Sequence, residues 1–206
     1  MVKIMTNLPA TEEAFDQSKP QSTLSLSEAM TSEGASSLSS HAGVVLMACL
    51  FGRNLTHLHR PESNDRPEDL SNGEFWKRHR AMDTILCNTS MFLPEQLRLP
   101  AGVRDANIVF LNMNIHTSTI CLHQAAILKA DKHNLDPILK KHSTDRCLLA
   151  AGEIVSIMRL TSHVNIGTVC HAGLWCRSII LMFYLLDESV HLILSLCSRP
   201  DIRPSI

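Results

Sequence analysis

The clearest periodic signal in the chain is a stripe of Phe75, His79, Met82 and Leu86, spaced by three or four residues, in "EFWKRHRAMDTILCNTSMFLP". Lys77, Arg80 and Thr84 fall between them, so the pattern predicts a helix with one buried face. Upstream, "SSHAGVVLMACLFGRNLTHLHRP" opens on a Ser39 or Ser40 cap and closes at Pro61. Positions 44–51 are apolar all round and predict burial, with Leu55 and Leu58 extending one face and Arg53 and His57 pointing away. "RPESNDRPEDLSNG" between these two segments is a polar loop.

Downstream, "LPEQLRLPAGVRD" carries Pro94, Pro100 and Gly102 and reads as a connector with one helical turn. Asp105 then caps a long helix to about Lys129. A further helix starts at a Ser143 or Thr144 cap, with Cys147, Ala151, Ile154 and Met158 at helical spacing. No alternating strand pattern and no repeat occurs. The predicted fold is all-α, an irregular multi-helix domain.

Composition sharpens this picture at both ends. From Ser18 to Ser40, 11 of 23 residues are Ser or Thr, and Lys3 and Lys19 face five acids in the first 40 residues. Residues 1–38 are therefore expected to be a disordered lead-in. Residues 39–163 are expected to form the helical domain, and 164–206 a divergent apolar tail. That tail contains "LWCRSIILMFYLLDESVHLILSLC", whose apolar run is broken by Arg177, Asp187, Glu188 and His191. It falls short of the ~18 uninterrupted apolar residues of a membrane span, so a buried helix is expected and no stable membrane association. A tail-anchored protein using residues 173–197 is the reading that membrane retention would support.

Charge and cysteine content exclude some partners. The formal net charge is −1, so no global field draws the chain to nucleic acid. Seven cysteines, several inside apolar runs and with no signal peptide ahead of them, suit reduced buried thiols. "KRHR" at 77–80 is a short basic run that reads as a solvated face laced with Glu74 and Asp83.

Candidate chemistry concentrates in "NIHTSTICLHQ". His116 and His123 are seven residues apart, nearly superposed on one helix face but about 10.5 Å apart along its axis. Cys121 lies about 140° round the wheel, so the three cannot share one ion. Val109, Ile120 and Ile127 flank that side. The histidines read as packing residues, with an effector-facing wall as the functional alternative. "CHAGLWC" at 170–176 offers Cys170, His171 and Cys176 but no second close cysteine pair, so zinc is not expected. There is no G-x-S-x-G, Gly-rich phosphate loop or H-E-x-x-H, and nothing places a nucleophile beside His142 or Glu153. The chain is read as not an enzyme. The rival, a helical small-molecule-binding protein or enzyme, requires a concave polar pocket near His116, His123 and Glu153.

Three strings, "LFGRNLTHLHRP", "FWKRHRAMDTILCNTSMFLPEQLRLPAGVRDANIVFLNMNIHTSTICLHQAAILKA" and "RCLLAAGEIVSIMRLTSH", resemble the regulatory region of fungal-specific transcription factors. The resemblance is to the middle homology domain of the xylanolytic-activator type and covers about residues 40–163. It implies a helical regulatory domain acting in the nucleus on RNA polymerase II promoters, through contacts with other transcription-factor domains or co-regulators. The family's DNA reader is an N-terminal binuclear zinc cluster, which needs C-x-x-C pairs; none occurs here. No cofactor is therefore expected in this chain, the family's zinc belonging to the missing cluster, and DNA would be reached only through a missing or partner module. The resemblance fades after His163, which predicts a domain incomplete at its C-terminal end.

Overall fold

The computed structural model describes residues 6–59 and 64–162. Pro61, the 170–176 motif and the apolar tail from 164 lie outside the described residues.

Three short helices come first: α1 (Glu12–Asp16), α2 (Leu26–Ala29) and α3 (Ser32–Ala35). Thr11, Ser25 and Thr31 cap them, each side chain accepting from a backbone N–H three residues on, and Ser25 forms a full capping box with Glu28. The hydroxyl-rich composition that suggests disorder here supplies helix caps instead. Leu8, Ala29 and Leu38 are buried in the main core cluster, and Ser39 Oγ donates to Pro9 O at 3.1 Å. Gly34 allows α3 to fold back on α2, since a Cβ there would sit 2.0 Å from Glu28 O. The expectation of a disordered segment over 1–38 thus gives way, from residue 6 onward, to an ordered strap laid against the helical body. Its apolar anchors are too sparse to register as periodicity.

Four long helices follow: α4 (Ser40–His59), α5 (Glu74–Phe92), α6 (Ala106–Lys132) and α7 (Pro137–Thr161). Ser39 caps α4 by accepting from Ala42 N at 3.1 Å. The helix buries Ala42, Leu46, Met47, Leu50, Asn54 and His57, while Val45 is exposed. Burial all round 44–51 is therefore not found. His57, read as pointing away, faces inward. The stripe of Phe75, His79, Met82 and Leu86 on α5 is buried, together with Trp76 and Thr89. Trp76 Nε1 donates to Pro67 O at 2.7 Å, pinning the loop ahead of the helix.

The connector holds one 3-10 turn, Glu95–Leu97. Arg98 reaches back to cap α5, its Nε donating to Leu93 O at 2.8 Å and its Nη2 to Met91 O. Asp105 caps α6 by accepting from Asn107 N at 2.8 Å. Asn134 then takes a positive φ of 49° and turns the chain into α7.

Asp136 caps α7 and Pro137 occupies its first turn, a pairing that fits proline's missing N–H and fixed φ. The start expected at Ser143 or Thr144 is corrected: Ser143 lies inside the helix and is buried. Met158, expected on the buried stripe, is exposed, and Ile157 is buried in its place.

α6 is the axis, packed by α4, α5 and α7. Three of its buried polar residues bond within the helix: Asn114 Nδ2 donates to Phe110 O, and the hydroxyls of Thr117 and Thr119 donate to Met113 O and Ile115 O. No strand occurs among the described residues, only one isolated bridge between Asn7 and Ser25. No helix among them is long and apolar enough to cross a membrane. The all-α fold is what the sequence led one to expect.

Candidate functional site

The α5, α6 and α7 faces meet around one carboxylate. Asp83 follows His79 by one turn of α5 and is half-buried. Its Oδ1 receives Arg146 Nη2 from α7 at 2.9 Å and lies 3.3 Å from His123 Nε2 on α6. His123 Nδ1 lies 3.5 Å from Ser143 Oγ, and Arg146 Nη2 is 3.0 Å from Cys87 Sγ. The assignment that satisfies most groups puts the His123 proton on Nε2, donating to Asp83, with Ser143 donating to Nδ1. Arg146 Nε, 3.4 Å from Nε2, then makes no real hydrogen bond to the ring. Burial alone would raise the Asp83 carboxyl; hydrogen bonds from His123 and Arg146 outweigh it and hold the group far below the ordinary carboxylate range. Arg146 is correspondingly held above its ordinary value, its bond to Asp83 overcoming the effect of burial. Asp83 is therefore an anchor between helices, contrary to its expected place on a solvated face.

Beyond His123 a row of rings runs toward α4. His79 stands edge-on to His123 with centroids 5.2 Å apart, and His57 stacks on Phe75 at 4.4 Å and 24°. Both nitrogens of His57 and Nδ1 of His79 lack a hydrogen-bond partner among the described residues. Burial pushes His57 down to about 4, helped by the Arg78 guanidinium and opposed by Asp65. Burial also pushes His79 down to about 3, with His123 and His57 adding to it. Both rings are neutral at pH 7.

The basic run at 77–80 is consumed internally. Lys77 pairs with Glu74 at 2.8 Å, Arg78 pairs with Asp65, and Arg80 donates to Leu70 O at 2.8 Å and Ser71 O at 3.0 Å.

His116, two turns before His123, sits on the same side of α6 but in different surroundings. It lines a cleft of about 220 Å³ where α5 and α7 diverge over α6. Leu86, Ile115 and Ala150 form the floor, Met91 and Leu149 the rim, and Arg146 and Glu153 the polar walls. Burial lowers the basicity of His116 against the pull of Glu153. The structure thus separates the two histidines that sequence reasoning had paired: His123 is locked in the Asp83 nest, and His116 opens on the cleft. Arg146 belongs to both. Its role was missed because its partners Asp83 and Cys87 come from α5, which spacing along α7 does not reveal.

Among the described residues, no three His, Cys, Asp or Glu side chains gather in a way that could hold a metal ion. Cys121 and Cys147 are buried thiols pushed up to about 12 by that burial. The described residues do not fit a zinc cluster.

Comparison with known proteins supplies what this geometry lacks. The chain is 31% identical over 165 residues to the pigment biosynthesis transcriptional activator pigB of Monascus ruber, covering 79% of this chain and 29% of that protein. It is 27% identical over 167 residues to a transcription factor of Aspergillus terreus, covering 80% of this chain and 26% of that protein. The chain is similar to fungal transcription factors. It spans less than a third of the length of these relatives. No family model matches, and no solved structure matches.

Proposed function

We propose that this chain is a regulatory domain of a fungal transcription factor, of the middle-homology, xylanolytic-activator type, acting in the nucleus on RNA polymerase II transcription. The observation that carries this reading is the similarity to two transcription factors along about four-fifths of the chain. The fold supports it in a second way. Its best-organised polar site, Asp83 with His123 and Arg146, ties three helices together, and the one hydroxyl beside its imidazole, Ser143, is buried with it away from solvent. Such a nest serves as a structural clamp.

The mechanism is packing against other transcription-factor domains or co-regulators. In this reading DNA is reached through another module, and the pairing of Lys77 with Glu74 and of Arg78 with Asp65 supports it. Zinc, in this reading, belongs to that other module.

Tethering tests the reading. Fused to an unrelated DNA-binding domain in a fungal host, the chain changes reporter transcription from the matching promoter, in either direction. A fusion that accumulates in the nucleus and leaves the reporter at the level of the DNA-binding domain alone refutes it.

A further inference from the structure

The cleft over α6 sets an apolar floor between polar walls. Its floor is buried and apolar, and its rim carries two large exposed side chains, Met91 at 67% and Leu149 at 69% exposure. Polar groups stand in its walls without hydrogen bonds: no hydrogen bond or salt bridge among the described residues engages the His116 ring, the Glu153 carboxylate or Nη1 of Arg146, although Glu153 lies near enough to His116 to act on its charge. Nη1 donates only, a carboxylate accepts only, and a neutral imidazole does one of each. The complementary molecule is an apolar ring with an acceptor for Arg146 and a donor for Glu153. A full anion is disfavoured, because Glu153 is in the wall and Asp83 already neutralises Arg146.

We propose that the cleft between α5, α6 and α7 binds a small, uncharged aromatic molecule carrying a carbonyl and a hydroxyl at opposite ends. The carbonyl accepts from Arg146, the hydroxyl donates to Glu153, and the ring lies on Ile115 and Ala150 beside His116. Occupancy would couple to packing because Arg146 also clamps Asp83, so a ligand drawing on its guanidinium acts on the tie between α5 and α7. The proposal stands apart from the transcriptional reading: binding can fail while tethered regulation succeeds, and the reverse.

The probe is 4-hydroxyacetophenone, titrated into the full chain and followed by methyl resonances of Leu149, Ala150 and Met91. With about ten non-hydrogen atoms at ordinary efficiency, it should saturate with a dissociation constant of about 1 mM. Leu149→Trp fills the cleft from an exposed position and should weaken binding at least about tenfold, the loss of one well-placed contact set; Ser90→Trp, on the opposite wall, should do the same. Acetophenone, lacking the donor, should bind about three- to tenfold more weakly. Absence of saturation up to about 20 mM, well above the expected constant, overturns the proposal. So does saturation that neither tryptophan variant alters.

Discussion

Acidification from pH 7 to pH 5 should destabilise the protein through His57 and His79. Both rings are buried and neutral in the fold, their pKa values lowered from the usual 6.5 to about 4 and about 3. In the unfolded chain each ring charges as pH drops below about 6.5. The unfolded state then binds more protons than the folded one, so stability falls with falling pH. The stability is fully present above the unfolded value. It declines through the interval down to the folded values, below which the loss levels off. Integrated from pH 7 to pH 5, each ring accounts for about 2 kcal/mol, so the pair costs about 4 kcal/mol, a large fraction of a domain's usual stability. Asp83 works in a lower window: its carboxyl is held below its ordinary value of 3.8, so its contribution is lost only as pH falls past about 4.

Urea titrations at half-unit steps from pH 7 to pH 5 measure this slope, and His57→Phe isolates one ring's share. Phenylalanine keeps the stack on Phe75 and removes two nitrogens that have no partner. At pH 7 the variant should be as stable as the parent, or about 1 kcal/mol more so, because apolar replacement of an unsatisfied buried polar group is neutral or favourable. At pH 5 its advantage should grow by about 2 kcal/mol, one proton's worth of linkage. His116, also lowered by burial, tilts both curves equally and cancels in the difference. Parallel stability curves for parent and variant would refute the reasoning, since His57 would then titrate alike in both states.

Three further outcomes follow from the packing. Asp83→Asn should cost about 2 kcal/mol by denaturation at pH 7, because Arg146 and His123 lose a shared charged acceptor; Arg146→Met should then cost less in that background than in the parent. Leu38→Ala should cost about 2–4 kcal/mol if the strap over 6–38 packs into the core as a cavity-forming site does, whereas a loosely attached segment would show almost no change. Alkylation of the native chain at pH 8, resolved by peptide mass spectrometry, should label the half-buried Cys49 and Cys87 and spare Cys121 and Cys147; equal labelling of Cys121 would contradict its burial.

The sequence was most readable where one face of a helix is wet. On α5 the contrast between Phe75, His79, Met82 and Leu86 and the exposed Lys77 and Arg80 follows directly from the helical period, and burial matches it. α6 was located by its Asp105 cap and its length, since a helix packed by three others has no polar face to reveal orientation. The strap before Ser39 was missed for the opposite reason. Its order rests on single anchors such as Leu8 and on hydroxyl caps, which composition alone cannot tell from a soluble tail. His57 was misplaced because histidine is counted as polar, although its ring stacks on Phe75 as an aromatic residue would.

The candidate site was half legible for a related reason. His116 and His123 share a side of α6 by simple arithmetic, and that much could be read from seven-residue spacing. What distinguishes them is supplied by other helices: Asp83 from α5 and Ser143 and Arg146 from α7. Arg146 is the decisive residue, because its side chain reaches both environments. It closes the buried nest with Nη2 and reaches the cleft beside His116. A guanidinium shared between an interhelical clamp and an open cleft is a direct physical means by which a surface event alters internal packing. Replacing Arg146 by Lys separates the two roles. Lysine's single point charge can keep the bond to Asp83 but cannot also present a second planar N–H to the cleft. The variant should therefore keep most of the parent's stability and lose most of its affinity for the hydroxyaryl probe; equal loss of both would mean that the clamp and the cleft are one site.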